Sequence, residues 1–265
     1  NDAYWNEGAG WLPIGNSSSL VFQAIFNGNG YQIRNLYINR SRTRFVGLFG
    51  YISGESAQLR NIGLTGELMQ VQGYNYVGGL VGYANNAAII EQSYVTGAVS
   101  GSSYYVGGLA GQFEASVMSN SYVTGAVTGD DYVGGLVGNL YSSAINNSYV
   151  TGAVTGSSYV GGLAGTSYMS SAINNSFASG AVTGNSSVGG LTGYSSSSVI
   201  THSYWAVDTT GISSTSLSAA TLSELQCPAG ADNTSCASGK TLYAEWDSGV
   251  WDFGSNTQLP GLILS

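Results

Sequence analysis

Few side chains of this sequence could take part in catalysis or hold a metal ion, and they are scattered along the chain. The only histidine is His202, and the only adjacent carboxylates within the repeating part of the chain belong to Asp130 and Asp131. A zinc site needs clustered His, Cys, Asp or Glu, and calcium takes about six to eight oxygen ligands. A turn explains the Asp130–Asp131 pair more simply, so we predict no metal site and no cofactor.

Catalysis on a polysaccharide would require paired carboxylates, or an acid and a base, on one face of the fold. Glu91 and Glu114 occupy different positions of the repeating unit, and no lysine precedes Lys240. The glycine-rich strings also lack the Gly-Lys-Ser/Thr of a phosphate loop. We therefore predict that the chain is not an enzyme. The basic residues that could dock a partner are Arg34, Arg40, Arg42, Arg44 and Arg60.

The two cysteines, Cys227 and Cys236, lie close together near the C-terminus. We predict a local disulfide formed in an oxidising compartment, as in secreted proteins. Two unrelated free thiols are the alternative.

Two strings recur with the same period, and this repeat is the most informative feature of the sequence. The first has the form Val-Gly-Gly-Leu-x-Gly and begins at Val77, Val106, Val133, Val160 and Val188, in steps of 29, 27, 27 and 28 residues. The second, Ser-Tyr-Val-Thr-Gly-Ala-Val in its clearest copies, begins at Ser93, Ser121, Ser148 and Ser176 and fades at Ser203. Weaker early copies begin at Asn35, Phe45 and Asn61. A fixed period of this length is typical of a solenoid.

Each period divides into three pieces of similar length, for example 121–129, 130–138 and 139–147. Val123 and Val127 alternate with polar or small residues, which favours strands, and glycines supply the bends between them. Stacked coils would pair these strands in parallel and bury columns of valine and leucine. We predict an all-β fold: a single parallel β-solenoid, a three-sided and right-handed β-helix of about 27 residues per coil.

The ends of the chain break the repeat and carry most of its tryptophans. We expect residues 1–34 to form an N-terminal cap and the first strands, residues 35–207 the solenoid, and residues 208–265 a C-terminal extension over the last coil or along the side of the rod. Open coils expose strand edges, so the ends need covering. An alternative is that incompletely capped rods join head to tail. The predicted end contacts are Trp5, Trp11, Trp246 and Trp251.

Aligning the units places similar side chains in columns. If Val95 points inward, the tyrosine before it points outward. We predict that such aromatic columns form an interaction strip, while the alternative is that they only stiffen the sheet. One column contains Tyr94, Tyr122, Tyr149, Phe177 and Tyr204, and the other contains Phe45, Tyr76, Tyr105, Tyr132 and Tyr159. A polar column, predicted to be a hydrogen-bonded amide ladder, contains Asn35, Asn61, Gln92, Asn120, Asn147, Asn175 and His202.

Composition excludes two classes of partner. The net charge is −8, charged residues make up 8% of the chain and six residues are basic. Nucleic acid and anionic membrane surfaces would find little counter-charge here. No apolar run approaches the ~18 residues of a membrane span. Because the chain begins at Asn1 rather than Met, we expect a processed secreted protein, extracellular or at the cell surface, and an excised fragment of a longer protein is the alternative.

Two segments of the repeat, Tyr76–Gly82 and Ser93–Gly97, resemble the GLUG repeat of bacterial surface proteins. The resemblance implies a β-solenoid found in large adhesins, haemagglutinin-like proteins and non-catalytic regions of some bacterial peptidases. No protease motif accompanies the repeats here. Segments similar to those that flank such repeats are Trp11–Gly15, Phe26–Ile33, Trp251–Gly254 and Leu259–Pro260.

These observations favour a secreted structural or adhesive protein of the bacterial cell surface or extracellular matrix. Its expected partners are further copies of itself, joined head to tail or laterally, or a surface glycan or protein. The alternative is a carbohydrate-binding module that uses the tyrosine columns as stacking platforms.

Overall fold

The computed structural model describes residues 6–213, 218–226, 241–254 and 257–264, and in these residues the chain winds into a β-solenoid. The predicted all-β parallel β-solenoid is confirmed, and its right-handed winding stays a prediction. Five parallel sheets, here called sheets I to V in their order along a coil, run the length of the rod, and the strands of each sheet come from successive coils. The three pieces predicted for each coil are therefore subdivided into five short strands.

Sheet I contains β1 (Ile25–Asn27), β6 (Gln58–Arg60), β11 (Ile89–Glu91), β16 (Val117–Ser119), β21 (Ala144–Asn146), β26 (Ala172–Asn174) and β31 (Val199–Thr201). Sheet II contains β2 (Gln32–Arg34), β7 (Gly63–Thr65), β12 (Tyr94–Val95), β17 (Tyr122–Val123), β22 (Tyr149–Val150), β27 (Phe177–Ala178), β32 (Tyr204–Ala206) and β33 (Ala219–Ala220). Sheet III contains β3 (Tyr37–Asn39), β8 (Gln70–Gly73), β13 (Ala98–Gly101), β18 (Val127–Thr128), β23 (Val154–Thr155) and β28 (Val182–Thr183).

Sheet IV contains β4 (Arg44–Val46), β9 (Asn75–Gly78), β14 (Val106–Gly107), β19 (Asp131–Gly134), β24 (Ser158–Gly161) and β29 (Ser186–Gly189). Sheet V contains β5 (Phe49–Ser53), β10 (Val81–Asn85), β15 (Ala110–Glu114), β20 (Val137–Tyr141), β25 (Ala164–Tyr168) and β30 (Thr192–Ser196). The C-terminal extension adds helices α1 (Val207–Thr210) and α2 (Leu222–Leu225) and the antiparallel pair β34 (Trp251–Asp252) and β35 (Gly261–Leu262).

The core is built from the apolar residues of the repeated strings. Val106 pairs in register with Val77 and Val133, and all three side chains are fully buried. Fully burying one such side chain stabilises the fold by about 1.5–3 kcal/mol, so the column holds neighbouring coils together.

The glycines of the first string permit backbones to lie against each other. A Cβ on Gly138 would lie 2.5 Å from the amide nitrogen of Val106, and one on Gly135 would lie 2.2 Å from the carbonyl oxygen of Gly162. No side chain fits at either distance. The string is therefore a packing motif, in which glycine lets one part of the coil lie directly against the next.

The predicted amide ladder is wrong, because the polar column has a different role. Asn61, Gln92, Asn120, Asn147, Asn175 and His202 share a left-handed backbone, with φ between 43° and 54°. Asparagine tolerates this conformation better than most residues. The Oδ1 atom of Asn120 is buried with no hydrogen-bond partner among the described atoms, so the column is not a hydrogen-bonded chain. Asn35 does not belong to it, because the pairing of β2 with β7 sets Asn35 opposite Gly66.

The polar ladder lies one residue further along, in buried serines. The backbone N–H of Ser121 donates to Ser148 Oγ at 3.2 Å, and that of Ser148 donates to Ser176 Oγ at 3.1 Å. Each hydroxyl in turn donates to a carbonyl of its own corner, as Ser121 Oγ does to Ser119 O at 2.7 Å. These bonds satisfy backbone groups at a buried corner, where an unpaired group would be costly.

The N-terminal segment covers part of the first coil. Trp11 Nε1 donates to the carbonyl oxygen of Leu48 at 3.0 Å. The rings of Phe22 and Phe26 lie 4.9 and 5.4 Å from that of Phe49, between centroids. Isolated bridges join residues 10, 14 and 22 to β3 and β5. Trp5 lies outside the described residues.

The C-terminal extension begins by continuing sheet II, since β33 pairs with β32. Helix α2 follows, started by a capping box between Thr221 and Glu224. Cys227 and Cys236 lie outside the described residues, so the disulfide stays a prediction.

Candidate interaction surfaces

Four of the five aromatic residues of the first predicted column form one stack along the outer face of sheet II, and the fifth, Tyr204, continues the column in register; the five are here called the aromatic strip. Its members are Tyr94, Tyr122, Tyr149, Phe177 and Tyr204, which pair in register. Successive ring centroids from Tyr94 to Phe177 are 4.8, 4.8 and 5.0 Å apart, with interplanar angles of 4°, 1° and 3°. Val95, the neighbour of Tyr94, is fully buried, which is the alternation expected of a strand.

Stacking determines which parts of these rings are available to a partner. The face of each inner ring lies against its neighbour, so ring edges rather than ring faces are open to a partner. At the first rung, the ring of Tyr94 lies over Gly63, where an added Cβ would be 2.5 Å from Cζ. Sugar stacking uses an open aromatic face, which this arrangement largely removes.

The C-terminal extension covers the far end of the aromatic strip. The ring of Trp251 lies 6.1 Å from Phe177 and 6.2 Å from Tyr149, and the ring of Trp246 lies 6.3 Å from Tyr204. Trp246 Nε1 also donates to the carbonyl oxygen of His202 at 2.9 Å. Both tryptophans are at most 2% exposed. They therefore pack against the side of the rod within one chain, which corrects their prediction as end contacts.

The open part of the strip consists of Tyr94, Tyr122 and the partly covered Tyr149. Burial, with a smaller contribution from Tyr94, raises the pKa of Tyr122 to about 12. Burial also raises the pKa of Tyr149 well above its ordinary value. These phenols are neutral hydrogen-bonding groups at physiological pH.

The second predicted column follows sheet IV: four of its members lie in strands of that sheet, and Tyr105 directly precedes β14. Its members Phe45, Tyr76, Tyr105, Tyr132 and Tyr159 all have a left-handed backbone, with φ between 54° and 62°. The distances between the centroids of successive rings are 5.0, 5.2, 4.9 and 4.8 Å. A bulky residue at positive φ is uncommon, and here the conformation repeats in every coil. Burial raises the pKa of Tyr105 to about 12.

A cluster of tyrosines and a carboxylate lies beside the start of this second column and was missed by the sequence analysis. The rings of Tyr51 and Tyr83 stack at 4.7 Å between centroids, on adjacent strands of sheet V. The hydroxyl of Tyr83 donates to Glu114 Oε2, which also accepts from Gln112 Nε2 at 3.3 Å. Asn85 Nδ2 donates to the Tyr51 hydroxyl at 2.9 Å. The only sequence signal for it is a tyrosine that directly follows the last glycine of the string in three coils, at Tyr51, Tyr83 and Tyr194.

A shallow groove of about 590 Å³ follows the outer side of sheet I and the corner before it. Apart from Glu55, the residues that line it are small or apolar, and they include Ile89, Val117, Ala144 and Ala172. These four belong to one register column, which starts at Ile25, contains the polar Gln58 next to it, and ends at Val199. Ile25 is 62% exposed, Val117 43% and Val199 59%, so the column presents apolar surface along the rod and at both of its ends.

The scattered charged residues make local contacts. Glu91 lies 3.7 Å from Arg60, and Arg40 Nε donates to the carbonyl oxygen of Trp11 at 2.9 Å. The guanidinium of Arg44 lies 5.5 Å from the ring centroid of Tyr76. Within the described residues, no group of three or more His, Cys, Asp or Glu side chains could hold a metal ion. No helix in that part of the chain is both long and apolar enough to cross a membrane.

Comparison with family models identifies part of the repeat. Three consecutive segments, 73–100, 102–128 and 129–155, match the GLUG motif. These three segments cover coils in which the two repeated strings of the sequence are clearest.

Two curated proteins are similar to parts of the chain. One is a "Putative Gly-rich membrane protein" of Evansella cellulosilytica, 44% identical over 32% of this chain and 9% of its own length. The other is halomucin of Haloquadratum walsbyi, 35% identical over 42% of this chain and 1% of its own length. The chain thus spans less than a tenth of the length of either relative.

A solved structure shares the fold. The crystal structure of a "putative immunoglobulin A1 protease" from Bacteroides ovatus aligns with a TM-score of 0.67, covering 96% of this chain and 81% of that one. The sequences are 20% identical, so the likeness concerns the fold alone.

Proposed function

We propose that this chain, a GLUG-repeat β-solenoid, serves as a non-catalytic structural rod at the cell surface or outside the cell and joins further copies end to end. The observation that carries the proposal is a pair of matching strand edges at its two ends. Sheet I begins with β1 and ends with β31, and sheet IV begins with β4 and ends with β29. In the described residues, no further strand pairs with the outer edges of these four.

The other sheets are covered at one end or the other. Bridges from the N-terminal segment reach β3 in sheet III and β5 in sheet V, and β33 covers β32 in sheet II. A second copy would therefore continue sheets I and IV across the junction. An unpaired edge is a template for another strand, and a head-to-tail contact that does not close on itself gives a filament.

Side chains at the two edges are complementary. Val199 at one end and Ile25 at the other are exposed members of the same register column, so stacking two rods would place one against the other.

Electron microscopy at rising protein concentration tests the proposal. We expect filaments whose subunit repeat matches the length of one rod, and we expect Val199→Lys to abolish them. Val117→Lys places the same charge in the same column, halfway along the rod, and serves as the matched control. Single rods at every concentration, or equal behaviour of the two variants, would overturn end-to-end joining.

The relatives support the proposed location. One is named a membrane protein, which agrees with a rod displayed at the cell surface. An adhesive role, with the open part of the aromatic strip as its contact surface, fits the same location. Loss of adhesion in Tyr122→Ser with retained filaments would assign the two roles to different surfaces.

Carbohydrate binding is the second candidate function. The half-exposed cluster of Tyr83, Gln112 and Glu114 combines aromatic and polar groups of the kind that hold sugars, whereas the stacked rings of the aromatic strip disfavour sugar stacking there. A glycan array probed with the wild-type chain and with Glu114→Gln tests it. Binding lost in the variant would favour this function, and no binding by the wild type would exclude it.

A further inference from the structure

We propose that Tyr83 is the preferred site of one-electron oxidation in this chain and that its radical couples to Tyr51, giving a dityrosine cross-link between two adjacent coils. The reagent would be a one-electron oxidant of the kind that peroxidases generate. This modification site is independent of the proposed end-to-end joining.

The Tyr83 phenol is hydrogen-bonded to a base, the carboxylate of Glu114. The phenol donates to Glu114 Oε2, and Gln112 Nε2 approaches the same oxygen at 3.3 Å. A phenol that loses an electron becomes strongly acidic. A carboxylate already in contact takes the proton in the same step, so oxidation is easier than at a tyrosine whose proton must pass to water.

Tyr83 keeps its phenolic proton at neutral pH. Burial, together with the hydrogen bond and charge of Glu114, holds the pKa of Tyr83 far above its ordinary value. At neutral pH it is therefore a protonated phenol bonded to a base, which is the form that loses an electron and a proton together.

Tyr51 is the phenol placed to couple with Tyr83. Tyr51 and Tyr83 are register partners on β5 and β10, with ring centroids 4.7 Å apart and an interplanar angle of 24°. Tyr76 also stacks on Tyr83, but at a longer 5.7 Å between centroids, and Phe45, which stacks on Tyr51, cannot form a phenoxyl radical. Both tyrosines are half-buried at the surface, so a turn of the side chains can bring two ortho carbons together.

Coupling removes two electrons and two protons in total, one of each from each phenol. Each loses one electron to one equivalent of the oxidant and one proton, the Tyr83 proton passing first to Glu114. The two radicals form one carbon–carbon bond between ortho positions. Each coupled ring carbon then transfers its hydrogen to the adjacent oxygen, which restores both phenols. No bond of the backbone changes.

The aromatic strip provides an internal comparison. Tyr94 and Tyr122 stack at 4.8 Å, nearly the same distance as Tyr51 and Tyr83. The Tyr94 hydroxyl, however, accepts a hydrogen bond from Gln32 Nε2 at 3.0 Å, and an amide N–H is not a base. If stacking alone determined coupling, both pairs would cross-link equally.

The test exposes the full chain to a limiting amount of photogenerated ruthenium oxidant and maps the products by peptide mass spectrometry. We expect the Tyr51–Tyr83 cross-link to dominate. Glu114→Gln should reduce it strongly, and Tyr83→Phe should abolish it while keeping the ring stack. Tyr94→Phe is the matched control and should leave it unchanged.

Circular dichroism of each variant checks that the fold is retained, and Tyr83→Phe keeps the test decisive if Glu114→Gln does not fold. Equal yields of the Tyr94–Tyr122 and Tyr51–Tyr83 cross-links in the wild type would overturn the proposal. An unchanged Tyr51–Tyr83 yield in a folded Glu114→Gln variant, or cross-links only between chains, would do the same.

Discussion

The ring of Trp251 lies 6.1 Å from that of Phe177, centroid to centroid, and the two side chains are at most 1% exposed. Their contact joins a residue near the C-terminus to the outer face of a strand formed 74 positions earlier in the sequence. It makes the extension part of the rod's side wall and leaves only the first rungs of the aromatic strip open.

Removing this contact should release the extension before the solenoid unfolds. For Trp251→Ala we expect a loss of about 3–5 kcal/mol in the stability of the docked extension, typical of a buried tryptophan. Limited proteolysis should then cut within residues 241–264 while the coils remain intact. Ile263→Ala is the control, because Ile263 is 49% exposed and should change neither result.

The left-handed corner residues give a second prediction. Asn147 has φ of 48°, and replacing it with valine forces a β-branched residue into that conformation. We expect Asn147→Val to lower the free energy of unfolding by about 1–2 kcal/mol, measured by chemical denaturation. Asn147→Gly should be nearly neutral. Equal losses in both variants would mean that the amide matters more than the backbone conformation.

Alkaline pH should destabilise the rod through its tyrosines. Tyr105 and Tyr122 have folded-state pKa values of about 12, against 10.0 for the free side chain. Between these values the unfolded chain has lost protons that the folded chain retains, so stability falls as pH rises. The contribution is fully present below pH 10 and is lost by about pH 12. Denaturation midpoints measured across this range should fall accordingly.

Tyr122→Phe separates titration from stacking in that experiment. The ring remains in the aromatic strip but can no longer ionise. Its denaturation midpoint should fall less steeply with pH than that of the wild type. An equally steep fall would assign the alkaline transition to other groups.

The repeat made the fold predictable, because the same pattern of valine, leucine and glycine occurs in each coil. The predicted alignment of the coils was wrong where the repeat is weak. Asn35 and Asn61 look alike in sequence, yet Asn35 lies opposite Gly66 and Gly28 lies opposite Asn61. Asparagine and glycine occur at several corners, so neither residue alone marks one corner of a degenerate coil.

Contacts without periodicity could not be predicted. Trp246 and Trp251 dock on the side of the rod through tertiary packing, for which local sequence carries no signal. Tyr51 and Tyr83 belong to a column whose next members are Gln112 and Asn139, so no aromatic column is visible. Glu114 reaches Tyr83 from the following coil, 31 residues away.

The docking of the extension on Tyr149, Phe177 and Tyr204 has a mechanical consequence. These three rungs belong to three successive coils, so the extension acts as a splint across them. The coils before Tyr149 carry no such splint in the part of the chain that the structure describes. A rod pulled from both ends should therefore yield first at its N-terminal coils, which peel off one by one, while the splinted coils resist as a unit.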